Sequence, residues 1–469
     1  MLFNSWTYLF FFISSAIFLR VRFIPWKLSL TIFSISFYVF WDYRFFPLIL
    51  FVTVINFFAA KIIEASRNKR KKVMILISSI FVNLSLLIFF KYTLLILAGL
   101  EKIFQITYSG SILHSIILPL GISFYIFQAI SYIVDVYRKE KEAEKSYLDF
   151  MLFITFFPQL IAGPIMRANQ LLPQLKKRPD ISYEDIRIGM NYFLNGLFLK
   201  VVIADNLSPF VDSAFIVNPS LLGFLDVSTM SFLFGWQIYF DFFGYSLIAL
   251  GSARIIGIRL VNNFEDPYIS QSVKEFWTRW HISLSLWIRD YLYIPLIKLF
   301  FANNRPSSLN LVALLCLFVS WSLMGMWHGS NLSFLIWGLM HAVFLVMFRI
   351  TQKLIPSRIF EYSIIKVLSF GLTLYMVMLA WIPFRADDAS HALELLLALI
   401  SKDNFFSLGF REDTYLVTFI ITISYYLYYF ISKNFKSKNL FLQFLYSLTK
   451  VVLVFIYLQS LDQFIYFQF

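Results

Sequence analysis

Charge is scarce in this chain. Of its 469 residues only 14% are Asp, Glu, Lys or Arg, while 59% are hydrophobic, against roughly 25% charged and 45–50% apolar in soluble globular domains. Exchanging the 26 Tyr for the 16 Gly, to match that accounting, lowers the apolar share only slightly, and the excess excludes an ordinary soluble enzyme. Cysteine is almost absent: Cys316 stands alone inside the apolar run Leu311 to Val319, so no intrachain disulfide can form and no thiolate metal cluster can be built. Its setting is that of a packed, inert thiol rather than an acyl carrier.

Other absences narrow the chemistry. None of the five histidines sits in HExxH or any paired metal-ligand spacing, which argues against a metal enzyme. There is no Gly-Lys pair and hence no P-loop, no G-x-S-x-G turn for a serine hydrolase, and no histidine followed five residues later by Asp. No regular repeat and no Pro-, Ser- or Gly-rich linker divides the chain, which reads as a single membrane domain over 1–469.

What the chain has is long apolar sequence. Since a bilayer core takes ~20 apolar residues per helical crossing, the composition supplies material for an all-α polytopic bundle of about 11–13 transmembrane or re-entrant segments. Apolar stretches run at 5–19, 28–41, 45–63, 73–98, 116–134, 148–166, 189–204, 230–257, 309–326, 331–348, 364–384, 414–431 and 444–461. The first lacks the basic start and small-residue cleavage site of a removable signal and reads as a retained helix. The stretch 148–166 carries FFPQLIAGP, a break that protein or a water-filled cavity must cover at membrane depth.

The net charge of +13 comes from 40 basic against 27 acidic residues. In a soluble chain this would suggest nucleic acid. Here the basic residues gather in short runs between apolar segments (Arg20 to Lys27, RNKRKK at 67–72, Arg138 to Lys145, KKR at 176–178, Arg349 to Arg358, Lys433 to Lys438), where they set orientation and meet anionic lipid. With these runs cytoplasmic, both termini and the loops 99–115 and 385–413 are expected outside; the middle, 190–310, is not fixed this way.

The segment Asn262 to Arg305 departs most from a plain span. It opens with NNFEDPYISQS and continues as KEFWTRWHISLSLWIRDYLYIPL. On a helical period Lys274, Thr278, His281, Ser285 and Arg289 share one face, and Phe276, Trp280, Leu284, Trp287 and Tyr291 the other, predicting an amphipathic helix at an interface or cavity. Read alone, His281 is a headgroup-facing residue on that helix.

His328 stands in GMWHGSN, between two apolar runs that predict a tight helical hairpin. An ionisable side chain there is costly unless it faces a polar cavity, so a functional role is the default; the plain alternative is a histidine bonded to a carbonyl at a helix end. Gly325, Gly329 and Ser330 permit close approach, and Trp327 could wall a narrow channel. His341 reads as a packed or hydrogen-bonded helix residue, His391 as solvated in the outer loop helix, and His114 as near an outside loop with no partner in view. Asp241, in WQIYFDFFGYS, is an intramembrane carboxylate that serves either a structural partner or a substrate path.

Five strings share an order and spacing: LPLGISFYIFQAISYIVDVYR at 118–138, FFPQLIAGPIMR at 156–167, YFDFFGYS at 239–246, FWTRWHISLSLWIRDYLYIPL at 276–296 and MGMWHGSN at 324–331. Together they resemble the membrane-bound O-acyltransferase family, in its bacterial alginate O-acetyltransferase-like branch, from the amino terminus to WIPFRADDASHAL at 381–393. The teichoic-acid D-alanyl branch shares the two histidine motifs. The resemblance implies a central tunnel, a core at roughly 118–349 flanked by helices within 1–98 and 364–469, His328 as the essential histidine and His281 as a second polar site residue. Trp327, Gly329, Asn331, Trp280, Asp241, Tyr239 and Ser285 are then expected along the tunnel. It further implies a cytoplasmic thioester donor, acyl-CoA or an acylated carrier protein, with no permanently bound cofactor and no metal; a polysaccharide acceptor outside; and a separate extracytoplasmic esterase-like partner. Where the alginate-type pattern continues with a serine and a second acidic residue, this chain has Phe243 and Leu247. It reads IKLFFANNR at 297–305 in place of a glycine pair before Asn-Arg.

The expectation is therefore a multi-pass protein of the cytoplasmic membrane that passes an acyl group, acetyl in the branch it resembles, toward extracytoplasmic hydroxyls. D-alanyl or other acyl export is the alternative within the class. A lipid or polysaccharide transporter is the alternative outside it, one that would move substrate without releasing thiol from a thioester.

Overall fold

The computed structural model describes residues 3–21, 23–104, 116–161, 163–301, 307, 309–401, 405–406, 408–434 and 440–458. His114, Asn304 and Arg305 lie outside the described residues. Among those described there is no β-strand. Among the described residues seven helical spans are long and apolar enough to cross a membrane: Trp26–Ala65, Lys69–Glu101, Tyr183–Phe215, Leu311–His328, Leu332–Leu354, Ser363–Arg385 and Glu412–Asn434. The number falls below the count of apolar runs because several runs are short or interrupted.

The chain divides into two compact units, Met1–Phe193 with Tyr245–Asn262, and Leu194–Gly244 with Asn263–Phe469. In the first, the helix Ile122–Arg138 is buried on nearly every side, whereas Lys69–Phe104 exposes Met74, Ile77 and Phe81, as a lipid-facing helix does. Asn56 and Asn83 exchange two side-chain hydrogen bonds of 3.1 and 2.9 Å between the helices Phe46–Ala65 and Lys69–Phe104, a polar link between apolar helices. Lys27 pairs with Asp149 and Lys176 with Glu144, each at 2.8 Å. The FFPQLIAGP break is real. The helix Tyr147–Thr155 stops at Phe156, one turn follows over Phe157–Leu160, and the surrounding side chains are buried. Gln159 Nε2 reaches back to the Phe153 carbonyl at 2.8 Å and satisfies a group that the broken helix releases.

The second unit carries the hairpin expected around GMWHGSN, as helices Leu311–His328 and Leu332–Leu354. Asn310 caps the first by accepting from Val312 N at 3.0 Å and Ala313 N at 3.4 Å, and Asn331 caps the second by accepting from Ser333 N at 3.1 Å, as N-cap asparagines do. The two cross through Gly325 and Gly338. A Cβ on either would stand 3.3 Å from the other's Cα and closer still to a carbonyl of the facing helix, so only glycine lets the backbones meet.

The helix Tyr183–Leu197 leads into a π-helical segment, Phe198–Ala204, and then into Asp205–Phe215. Asp205 N donates to the Lys200 carbonyl, five residues back. Lys200 points inward, with Nζ 2.5 Å from Asp205 and 2.8 Å from Asp241, all three side chains at 3% exposure or less.

Candidate functional site

The segment expected to be one amphipathic helix is two. Ser272 caps Val273–Arg279 by accepting from Glu275 N at 3.1 Å, the helix ends at Trp280, and a new one runs Ile282–Ile288. His281 sits at the junction with φ 41° and ψ 53°, the left-handed region that a side chain with a Cβ enters at a cost. Asn263 holds the junction: its carbonyl accepts from Ile282 N at 3.0 Å, and its Oδ1 accepts from Ser283 Oγ at 2.6 Å. A continuous helix would leave His281 on the surface with Lys274 and Thr278. The break turns it inward, to full burial, against the expectation of a headgroup-facing residue.

His281 meets Phe242 edge-on at 4.7 Å between ring centroids and lies 6.5 Å from Trp327. Trp327 in turn lies 4.8 Å from His328. The two histidines therefore flank one indole. His328 ends its helix, is 5% exposed, and is enclosed by Trp337 at 5.0 Å and Phe384 at 5.1 Å besides Trp327. Gly329 leaves room for the Phe334 ring, which a Cβ there would strike. Asn331, beyond capping its helix, donates through Nδ2 to the Asp387 carbonyl.

The other expected residues divide. Trp280 and Tyr239 stand 6.1 Å apart in one aromatic wall, to which Trp381 adds a contact with Trp280 at 4.9 Å; Trp381 Nε1 donates to the Tyr268 hydroxyl at 3.0 Å. Ser285 Oγ donates to the Trp280 carbonyl at 3.3 Å. Asp241 is held by Lys200, which favours the structural reading of that carboxylate. It nevertheless precedes Phe242, the ring against His281, so the ion pair anchors the turn of helix that supports the histidine.

Two residues escaped the sequence reading. Asn263 was seen only as part of a polar stretch, although it fixes the His281 backbone from 18 positions away in sequence. Lys200 lies in the apolar run FLKVV; an intramembrane cation is a signal in itself. His341, expected as a packed or hydrogen-bonded helix residue, is both: it is fully buried and accepts from Trp277 Nε1 at 3.3 Å, with Trp337 at 4.9 Å, so it continues the line from His328.

A buried histidine at a hairpin tip, a second at a strained helix junction and aromatic side chains between them suit proton transfer shielded from water. No group of three or more His, Cys, Asp or Glu among the described residues could hold a metal ion. The membrane-bound O-acyltransferase family model matches residues 35–383. The chain belongs to the membrane-bound O-acyltransferase family.

Relatives of this O-acyltransferase agree. It is 36% identical over 400 residues to a peptidoglycan O-acetyltransferase of Helicobacter pylori, covering 80% of this chain and 73% of that one. It is 36% identical over 409 residues to a protein of Pseudomonas aeruginosa named probable alginate O-acetylase, covering 86% and 75%. A teichoic acid D-alanyltransferase of Bacillus subtilis is 30% identical over 249 residues, covering 51% and 61%. The chain is thus a multi-pass membrane acyltransferase, and its similarity to the O-acetylating relatives extends further along the sequence than its similarity to the D-alanylating one.

Proposed function

We propose that this acyltransferase moves an acetyl group from a cytoplasmic thioester to a hydroxyl of an extracytoplasmic polysaccharide, with His328 as general base. The observation that carries the reading is the placement of His328, buried at the end of a helix beside Trp327, Trp337 and Phe384 and linked through Trp327 to His281. A neutral imidazole takes the acceptor's proton as its oxygen attacks the thioester carbonyl. The carbonyl end of the Leu311–His328 helix favours positive charge as it develops on the ring. The C–O bond forms, the C–S bond breaks, and the thiolate leaves carrying the proton returned by the imidazolium. No nucleophile of the protein is required.

His281, turned inward, supports the second reactant. Acyl-CoA or an acylated carrier protein supplies the thioester from the cytoplasmic side, and an esterase-like partner completes transfer to the polymer outside. Alginate-like polysaccharide and peptidoglycan are the acceptor classes that the relatives suggest. We place the chain in the cytoplasmic membrane with both termini outside, the orientation that the basic runs support.

His328→Ala should abolish acyl transfer while leaving the protein inserted and folded. Normal acylation of the surface polymer in that variant would refute the assignment. Export of D-alanyl groups is the second reading, favoured by the shared histidine motifs; labelled acetyl and D-alanyl thioesters presented to the purified protein separate the two.

A further inference from the structure

Acyl transfer builds negative charge on a second atom besides the oxygen that His328 deprotonates. As the hydroxyl oxygen attacks, an electron pair of the thioester carbonyl moves onto the carbonyl oxygen, and a buried oxyanion needs a hydrogen-bond donor already in place. The attacking oxygen is in hydrogen-bond contact with His328, and the oxyanion is one carbon away from it. Its donor therefore belongs to the side chains that touch the His328 ring.

Trp327, Trp337 and Phe384 enclose that ring. Phe384 has no polar atom in its side chain, and Trp327 is shared between His328 and His281. Trp337 meets His328 edge-on, 5.0 Å between centroids with the planes at 84°. Its Nε1 is buried without a hydrogen-bond partner among the described residues. A buried N–H left unpaired destabilises the fold, and native proteins keep few of them outside sites that use them.

The indole is also held still. Trp381 lies nearly parallel to it at 6.0 Å and 25°, Trp277 meets it at 5.9 Å and 74°, and His341 at 4.9 Å. The next residue is Gly338, where the helices Leu311–His328 and Leu332–Leu354 cross, so the backbone that carries the indole is pinned against the helix that ends in His328. Base and N–H thus keep a fixed separation, as a donor that must not reorganise during the reaction requires.

We propose that Trp337 is a catalytic residue of the transfer, its Nε1–H hydrogen-bonding the oxygen of the thioester carbonyl as that oxygen gains charge. The indole keeps its proton throughout. The hydroxyl proton passes to His328, the C–O bond forms, and the oxyanion is held by Trp337. The electron pair then returns, the C–S bond breaks, and the thiolate leaves with the proton from the imidazolium. A neutral donor binds the uncharged carbonyl weakly and the oxyanion strongly, so its effect falls on the transition state. The proposal rests on the acyl-transfer reading with His328 as base and adds the group that faces the carbonyl.

The test replaces the indole N–H alone. 3-Benzothienylalanine, installed at position 337 of the full-length chain, keeps the fused-ring shape and puts sulfur where the N–H was. Cell envelopes that carry the variant in place of the wild type hold the acceptor, and transfer of label from acetyl-CoA is measured per folded enzyme. The kcat should fall roughly 10²–10³-fold with KM for acetyl-CoA nearly unchanged. The melting temperature of the purified variant should equal or exceed that of the wild type, since an N–H without a partner has no bond to lose. The same isostere at Trp236, whose Nε1 donates to Thr422 at 2.8 Å, should do the reverse, lowering the melting temperature and sparing kcat.

Wild-type kcat with the isostere at 337 overturns the proposal. So does a loss of transfer that only follows a loss of folded protein, which makes the N–H a structural donor, and so does an equal fall in kcat at 236, which makes the fall a general effect of the ring. His328→Ala separates this failure from failure of the reading beneath it. If His328→Ala is inactive and the isostere at 337 is not, Trp337 alone is struck. If His328→Ala transfers normally, or the wild type takes no acetyl from the thioester, the acyl-transfer reading falls and the proposal falls with it.

Discussion

Trp277 donates its indole proton to His341 Nδ1 across 3.3 Å, with both side chains buried. Because Nδ1 accepts, the proton of a neutral His341 ring resides on Nε2, and the ring is fixed between Trp277, Trp321 and Trp337. His341→Ala leaves a cavity and an unsatisfied indole N–H, and should cost about 2–4 kcal/mol. His341→Asn keeps an acceptor and should cost less. Thermal unfolding in detergent measures both; equal melting temperatures for the wild type and the alanine variant would show that the bond carries no stability.

The Lys200 cluster predicts an order of stabilities. One cation lies between two buried carboxylates. Lys200→Met strands both carboxylates and should cost about 3–5 kcal/mol, with poor yield of folded protein. Asp241→Asn leaves a balanced Lys200–Asp205 pair and should be milder. The reverse order, read from melting temperatures, would mean that Asp241 is the member the core depends on.

At His281 stability and activity should part. The residue holds φ 41°, so His281→Gly relieves backbone strain of about 1 kcal/mol at the loss of ring contacts with Phe242, whereas His281→Ala loses the ring and keeps the strain. The glycine variant should melt above the alanine variant while both lose transfer activity. An alanine variant at least as stable as the glycine one would contradict the strained conformation.

Two glycines on neighbouring helices should answer oppositely to the same change. A Cβ at Gly338 meets the Trp321 carbonyl, while one at Gly371 in the helix Ser363–Arg385 meets nothing within 4 Å. Gly338→Ala should destabilise by about 1–3 kcal/mol through overpacking and, by parting the hairpin, reduce transfer. Gly371→Ala should stabilise by up to about 1 kcal/mol through helix propensity. Unfolding of the two variants side by side decides it.

Much of this was legible in the sequence because it is local. The hairpin around His328 was marked by two apolar runs and small residues between them, and it appears as Leu311–His328 and Leu332–Leu354. The FFPQLIAGP interruption announced its own break. The junction at His281 was not legible, since the polar and apolar faces keep a helical period straight through it, and the helix yields to Asn263, a residue brought there by the fold. Lys200 was hidden for a similar reason: one of its carboxylates is 41 positions away. Periodicity describes which face is apolar, and it is silent on tertiary hydrogen bonds that override a helix.

The extra residue wound into Phe198–Ala204 makes chain length itself a constraint. Side chains five apart do not face each other on an α-helix, yet Lys200 and Asp205 meet here because the wider turn brings them together. Removing one of residues 201–204 would let the turn relax into an ordinary helix, its five-residue bonds replaced by four-residue ones and the segments on either side left nearly in register. Such a deletion would leave Lys200 and Asp205 four apart, the spacing at which an ordinary helix pairs side chains, so the contact requires either the wide turn or one residue fewer.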